Sequence, residues 1–256
     1  MTDHVRLIAF DLDDTLAPSK SPMPERMGAA LSSLLDAVPV CIISGGHFGQ
    51  FRDQVLAHLG ASTEQLSRLH LMPTCGTRYL RHDGQDWKQV YAHDLTPGER
   101  DRALAAVEGE ARRLGLWEEQ TWGEILENRG SQITFSALGQ EAPLEAKKAW
   151  DPTGAKKSAL RDAVAVLLPE LEVRSGGSTS VDITRSGVDK AYGMTRLSEQ
   201  TGIELADMLF IGDRLDVDGN DYPVKKLGVP THAVVDWRET ADVVEQIVAS
   251  LAGARA

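Results

Sequence analysis

Cysteine is scarce in this sequence, and no arrangement of cysteines would hold a metal or a disulfide framework. Only Cys41 and Cys75 occur in 256 residues, and Cys41 lies within an apolar run. Zinc sites need closely spaced cysteines or histidines, and small secreted domains need several disulfides, and neither pattern is present. We therefore expect reduced thiols and a cytoplasmic protein.

Long apolar runs and an excess of positive charge are also missing. No run approaches the ~20 apolar residues that span a bilayer. The opening Met-Thr-Asp-His does not resemble a secretion signal. With 38 acidic and 27 basic residues the formal net charge is −11, which argues against broad contact with nucleic acid or an anionic membrane. A small anionic substrate remains compatible, because a bound cation can outweigh distant charge.

Several catalytic and metal-binding motifs are absent as well. There is no Walker-type glycine-rich loop ending in Gly-Lys, and no motif typical of Ser-His-Asp catalysis. The acidic segment that starts at Asp216 fails the pattern of a calcium loop, because glycine falls at its fourth position and Leu227 at its twelfth.

The sequence does contain alternating apolar strands and amphipathic helices at both of its ends. The expected buried strands are 5–10, 38–43, 69–73, 208–211 and 231–235. Strands separated by helices predict a doubly wound parallel sheet of the Rossmann type. The middle of the chain instead shows hairpins mixed with helices. We predict an α/β core formed by residues 1–81 and 187–256, with an inserted α+β module at 82–186.

Acidic clusters end two of the predicted core strands. Asp11, Asp13 and Asp14 follow the first strand, and four aspartates lie within 213–221 after a later one. Neighbouring carboxylates repel one another unless a cation balances them. A divalent cation held by carboxylates suits phosphate chemistry. For the first cluster, a solvated acidic turn is the alternative.

Two further polar positions are less specific when taken singly. Ser44 and Gly45 follow the second buried strand, where a hydroxyl and backbone N–H groups can hold phosphate oxygens. A plain helix N-cap or turn explains Ser44 equally well. Lys190 falls just inside a predicted helix start, where a cation is unfavourable unless an anion is bound. A solvated surface lysine is the alternative.

Together these clusters resemble the haloacid dehalogenase superfamily of phosphotransferases, in the subclass with a large α/β cap. The resemblance is carried by Asp-x-Asp-x-Thr at 11–15, Ser44, Lys190 and the Gly-Asp…Gly-Asn-Asp loop at 212–221. Within that subclass, Asp-Leu-Asp-Asp-Thr-Leu-Ala-Pro-Ser-Lys at 11–20 and Gly-Gly-Ser-Thr-Ser-Val-Asp-Ile at 176–183 look like the eukaryotic-type phosphomannomutases, as does Gly-Val-Asp-Lys-Ala-Tyr at 187–192.

The resemblance implies a role for each matching residue. Asp11 would be the nucleophile that forms an aspartyl-phosphate, and Asp13 the general acid and base. Mg²⁺ would be held by Asp11, the backbone carbonyl of Asp13, Asp213 and Asp221. The phosphoryl group would be held by Ser44, Gly45 and Lys190. The remainder of the substrate would contact Lys20, Arg129, Ser180 and Asp182.

The chain departs from the mutase pattern where a second phosphate would bind. Arg129 is the one clear arginine in the corresponding segment, Gln132 stands where another would be, and Lys20 replaces an arginine. Arg129 can also be read as a surface residue. Weak binding of a distal phosphate favours water as the phosphoryl acceptor.

We therefore expect a Mg²⁺-dependent phosphatase that acts on a hexose phosphate. A phosphomannomutase that interconverts mannose 1-phosphate and mannose 6-phosphate stays open, as does a non-catalytic module that binds sugar phosphate or metal. The expected partner is a small phosphorylated sugar, with neither nucleic acid nor membrane. A homodimer also stays open, because the sequence does not determine the oligomeric state.

Overall fold

The computed structural model describes residues 4–253, and the chain divides into two compact units. One unit runs to Ala92 and resumes at Asp189, and the other spans His93–Val188. No helix in the described part of the chain has both the length and the apolar character to cross a membrane.

The strands and helices are numbered in chain order. The strands are β1 (Leu7–Phe10), β2 (Val40–Ile43), β3 (Leu69–Met72), β4 (Arg78–His82), β5 (Trp87–Ala92), β6 (Leu126–Asn128), β7 (Gln132–Ser136), β8 (Leu171–Ser175), β9 (Ser180–Arg185), β10 (Met208–Gly212) and β11 (Thr231–Ala233). The α-helices are α1 (Glu25–Ala37), α2 (Phe48–Phe51), α3 (Ala57–Leu59), α4 (Thr63–Ser67), α5 (Pro97–Arg113), α6 (Leu144–Trp150), α7 (Ala155–Leu167), α8 (Lys190–Thr201), α9 (Tyr222–Lys226) and α10 (Trp237–Gly253).

A seven-stranded sheet with the order β11-β10-β1-β2-β3-β4-β5 forms the centre of the first unit. The strands from β11 to β3 are parallel, and β4 and β5 continue the sheet in antiparallel pairing. Every residue of β1 and β2 is buried, because hydrophobic clusters cover the sheet on both faces. The predicted doubly wound α/β core is confirmed.

The β4–β5 hairpin corrects the predicted start of the inserted module at residue 82. β5 pairs with β4 from Arg78 opposite Ala92 to His82 opposite Trp87, and β4 in turn pairs with β3. These ladders make the hairpin part of the core sheet, so the second unit begins at His93. The sequence pattern showed a hairpin but not the sheet to which it belongs.

The second unit is an α+β module, as predicted. Its antiparallel sheet has the order β6-β7-β9-β8. Ile133 and Phe135 of β7 and Val181 and Ile183 of β9 are buried, in one hydrophobic cluster with residues of α5 and α7. The alternate residues of these two strands are polar, which gives the sheet one apolar face and one polar face. Helix α6 was not predicted from the sequence.

Acid sensitivity of the first unit is expected from His70, a buried residue of β3. Its Nδ1 lies 2.7 Å from the Tyr79 hydroxyl. Burial, with a contribution from the Arg81 charge, lowers the pKa of His70 to about 3. At pH values between the folded pKa of about 3 and the unfolded pKa of about 6.5, the unfolded chain binds a proton at His70 that the folded chain does not. Stability should therefore fall as the pH falls, by about 2 kcal/mol between pH 7 and pH 5 from this group.

The measurement is urea denaturation at pH 7 and pH 5 for the wild type and for His70→Gln. The variant lacks the titrating ring, so its free energy of unfolding should lose about 2 kcal/mol less over this interval. An equal loss in both proteins would show that His70 does not titrate differently on folding.

Candidate active site

Asp11 leaves the sheet at the carboxyl end of β1 and is buried. Its backbone N–H donates to the carbonyl of Ile211 at 3.0 Å, which continues the pairing of β1 with β10 by one residue. Because β10 runs parallel to β1, Asp213 emerges at the same edge of the sheet. This edge is where open α/β sheets bind ligands.

Lys190 lies against Asp11 and is 1% exposed. Its Nζ is 2.5 Å from Asp11 Oδ1 and 2.6 Å from Asp221 Oδ1. Lys190 is therefore a buried ion-pair partner of two carboxylates, which rules out the solvated surface lysine. The preceding residue, Asp189, caps α8, since its side chain accepts a hydrogen bond from the Tyr192 N–H at 2.9 Å.

Three carboxylates are close enough to hold one cation. Asp11, Asp213 and Asp221 each offer an oxygen, and these oxygens lie within 4.8 Å of one another. Asp221 Oδ2 accepts the Arg214 backbone N–H at 3.1 Å, and Asp213 Oδ1 accepts the Thr15 hydroxyl at 3.1 Å. A set of hard oxygen donors fits Mg²⁺. This arrangement of three carboxylates does not require the sequence pattern of a calcium loop, which the segment starting at Asp216 lacks.

Burial and a neighbouring carboxylate together shift the pKa values of the clustered aspartates. Burial raises the pKa of Asp11 to about 8, although the Lys190 charge lowers it. Burial also raises the pKa of Asp213, with a contribution from Asp221. Burial alone would lower the pKa of Lys190, but Asp11 and Asp221 hold it above its usual range. Three carboxylates face one lysine, so a divalent cation would balance the cluster.

Asp13 occupies a different position from the three clustered carboxylates. Its Oδ1 accepts the backbone N–H of Lys20 at 2.7 Å, and its Oδ2 accepts the side-chain amide of Gln50 at 2.9 Å. The structure thus assigns a contact to the Lys20 backbone, whereas the expected contact of the Lys20 side chain with substrate stays a prediction. Asp14, the third aspartate of this segment, is exposed and accepts the Ser19 N–H.

Ser44 and Gly45 follow β2, the strand beside β1. The Ser44 hydroxyl accepts the Gly46 N–H at 3.1 Å. Ser44 is not the helix N-cap, because α2 starts at Phe48 and the His47 side chain accepts the Gly49 N–H. The pairing of β1 and β2 places the turn at the same edge of the sheet as Asp11.

In the second unit, Ser180 and Asp182 lie on the polar face of β9. Asp182 Oδ1 accepts the Thr134 hydroxyl at 2.7 Å, and the hydroxyl oxygens of Ser180 and Ser136 are 3.1 Å apart. Thr134 and Ser136 were not among the expected site residues, although the alternation of polar and apolar residues in β7 is a signal for them. Cross-strand pairing makes them the partners of Asp182 and Ser180.

Carboxylate partners are present for the arginines of this sheet and for Arg129 in the turn between β6 and β7. Arg129 has a side chain 10% exposed and lies 2.8 Å from Glu127, so it is not a solvated surface residue. Arg174 pairs with Glu172 at 2.6 Å, and Arg185 with a carboxylate of α5 at 2.9 Å. Gln132 is buried, and its amide donates to Thr134 at 2.9 Å.

Sequence comparison finds similarity to haloacid dehalogenase-like hydrolases and to phosphomannomutases. Residues 145–223 match the family model described as haloacid dehalogenase-like hydrolase. The phosphomannomutase of Encephalitozoon cuniculi is 23% identical over 240 residues, covering 87% of this chain and 85% of that protein. Phosphomannomutase 2 of Dictyostelium discoideum is 20% identical over 237 residues, covering 84% of each chain.

Solved structures share the fold at low sequence identity. The N-terminally truncated IMP-nucleotidase of Plasmodium falciparum superposes with a TM-score of 0.68 at 14% identity, over 95% of this chain and 70% of that one. A haloacid dehalogenase-like hydrolase of Bacteroides thetaiotaomicron gives 0.61 at 15% identity, over 95% and 99%. Trehalose-6-phosphate phosphatase of Aspergillus fumigatus gives 0.54 at 18% identity, over 96% and 93%. The predicted resemblance to the haloacid dehalogenase-like proteins, and to phosphomannomutases among them, is confirmed.

Proposed function

We propose that this haloacid dehalogenase-like protein is a Mg²⁺-dependent phosphatase that acts on a hexose phosphate through a covalent intermediate on Asp11. The observation that carries the proposal is the buried Asp11 carboxylate, in contact with Lys190 and grouped with two further carboxylates. A carboxylate held at a cation site, beside a fixed positive charge, suits attack on a phosphate ester.

The proposed reaction has two displacement steps. First, a carboxylate oxygen of Asp11 bonds to phosphorus, the bond from phosphorus to the sugar oxygen breaks, and Asp13 protonates that oxygen. Next, Asp13 removes a proton from water as the water oxygen bonds to phosphorus, and the bond to Asp11 breaks. Lys190 and the turn at Ser44 and Gly45 bind the phosphoryl oxygens. Bound Mg²⁺, held by Asp11, Asp213, Asp221 and the Asp13 carbonyl, would neutralise phosphate charge.

The preference for water as acceptor rests on the arginines of the second unit. A mutase must bind the distal phosphate of a bisphosphate, which calls for cations that are not neutralised by the protein itself. Arg129 and Arg174 are each paired with a glutamate, and Gln132 is neutral. This pattern of charge favours a substrate with one phosphate.

The second candidate function is a phosphomannomutase, which the similarity to that family favours. The deciding experiment supplies mannose 1-phosphate and Mg²⁺ with a trace of mannose 1,6-bisphosphate. Free mannose with inorganic phosphate would support the phosphatase, whereas mannose 6-phosphate would show a mutase.

A third candidate is a binding module without catalysis. Mg²⁺-dependent phosphate release from an aryl phosphate would exclude it, and the absence of release from any phosphate ester would support it.

We further infer that Asp182 and Ser180 contact sugar hydroxyls. Asp182→Asn keeps an oxygen that can accept from Thr134, so the fold should be retained. We expect it to lower kcat/KM for the hexose phosphate about tenfold or more, because a paired hydroxyl would lose a charged partner. Hydrolysis of p-nitrophenyl phosphate, which carries no sugar, should change less than about threefold. Equal losses on both substrates would contradict sugar contact.

The proposed function also includes expectations for the cellular location, the binding partner and the oligomeric state. Cys41 and Cys75 form no disulfide in the described chain, which fits a reducing cytoplasm. The partner would be a small phosphorylated sugar, and light scattering of the purified protein would decide the open question of a homodimer.

A further inference from the structure

We infer that Gln50 and Gln54 are positioning residues that fix the carboxylate of Asp13 through their side-chain amides. The inference deepens the proposed function, on which it rests, because it concerns the group assigned to proton transfer. Neither glutamine belongs to a motif identified in the sequence.

Hydrogen bonds hold both oxygens of the Asp13 carboxylate. Gln50 Nε2 donates to Oδ2 at 2.9 Å, and the Lys20 backbone N–H donates to Oδ1 at 2.7 Å. Gln54 Nε2 lies 3.4 Å from Oδ1 and also donates to the carbonyl of Ser21 at 2.9 Å. Donors on both oxygens restrict rotation of the carboxylate about its Cβ–Cγ bond. The two glutamines thereby link the helix after β2 to the segment that carries Asp13.

The local backbone around Gln54 is unusual. The helical segment from α2 to α3 is interrupted by a π-helical turn, Arg52–Leu56. Such turns are rare and frequently mark functional sites. The Gln54 backbone carbonyl also accepts the Met23 N–H at 2.8 Å, so this turn is joined to the loop after Asp13 through both main chain and side chain.

The buried Gln54 side chain is unfavourable for the stability of the fold. It is 5% exposed, and its Oε1 is buried with no hydrogen-bond partner in the described chain. A buried polar atom without a partner is destabilising, and an apolar side chain would avoid the penalty. The part of this side chain that is used is its N–H₂ group, which faces Asp13 and Ser21.

Gly46 leaves space for the side-chain amide of Gln50. A Cβ atom at Gly46 would collide with the Oε1 of Gln50. Any larger residue at 46 would therefore push the Gln50 amide away from its present position. This gives a way to displace the amide without removing it.

A fixed acid matters most when the leaving group is poor. A phenolate with a strongly electron-withdrawing substituent departs without much help, whereas phenolate itself, like a sugar oxygen, needs a proton as the bond to phosphorus breaks. Misplacing Asp13 should therefore slow poor leaving groups selectively. A loss of general folding or of metal binding would slow good and poor leaving groups alike.

The experiment compares Gln50→Leu and Gln54→Leu with the wild type on phenyl phosphate and p-nitrophenyl phosphate, with saturating Mg²⁺. We expect kcat/KM for phenyl phosphate to fall about tenfold or more, and that for p-nitrophenyl phosphate to fall less than about threefold. Gly46→Ala should show the same selectivity at smaller amplitude. Arg52→Gln is the matched control, because Arg52 lies on the same turn with an exposed side chain, and it should leave both rates unchanged.

Equal losses on the two substrates in all three variants would overturn the positioning role, and so would unchanged rates. If Gln54→Leu does not fold, Gln50→Leu alone tests the positioning role, because the Gln50 side chain is less buried than that of Gln54. A wild-type protein that hydrolyses neither ester would instead contradict the proposed function, so the two failures are distinguishable.

Discussion

Asp11→Asn is expected to lower kcat for phosphate release by at least about a thousandfold, because the amide cannot serve as the nucleophile. The effect should not arise from unfolding. Asparagine has nearly the same shape as aspartate, and Lys190 keeps its second carboxylate partner, Asp221, at 2.6 Å. The measurements are p-nitrophenyl phosphate hydrolysis with Mg²⁺ and urea denaturation of the same preparation.

Asp14→Asn is the matched control for this prediction. Asp14 belongs to the same acidic segment, but its side chain is exposed and accepts the Ser19 N–H at 3.1 Å. Its φ of 61° lies in the left-handed region, which asparagine tolerates. Its kcat should stay within about twofold of wild type, since surface substitutions perturb little. An Asp11→Asn protein that keeps more than about a tenth of the wild-type rate would refute the nucleophile role.

The core of this site could be predicted because it follows from two simple patterns. Residues 7–10 form a continuous apolar run, which requires a strand covered on both faces. Residues 208–211 repeat that pattern near the other end of the chain. Parallel pairing of two such strands brings their carboxyl ends together, so Asp11 and Asp213 had to meet at one edge.

The remaining parts depend on contacts that no local pattern contains. Lys190 read alone favoured a surface lysine, and only the family resemblance placed it at the phosphate, because its burial depends on strands far away in sequence. The segment 11–14 gives no sign that Asp14 turns outward. Gln50 and Gln54 look like ordinary solvated residues of an amphipathic helix, since the loop that meets them comes from another part of the fold.

Lys190→Met is expected to cost about 3–5 kcal/mol of unfolding free energy when metal is chelated, because it leaves buried carboxylates without their cation. Lys190 is 1% exposed, and it contacts both Asp11 and Asp221 at salt-bridge distance. Urea denaturation in the presence of a chelator isolates this effect from any bound ion. Lys225→Met is the control, because Lys225 is exposed on α9, and it should stay within about 0.5 kcal/mol of wild type.

The double variant Lys190→Met/Asp221→Asn tests whether the loss comes from uncompensated charge or from altered packing. Asp221 is fully buried, so its carboxylate without Lys190 is the most costly group left in the single variant. Neutralising it should return part of the lost stability, with a coupling energy of about 1–3 kcal/mol between the two sites. Strictly additive losses would mean that Lys190 supports the fold by its volume alone. Because the same lysine contacts Asp11, that result would also remove the electrostatic basis for assigning Lys190 to the phosphoryl group.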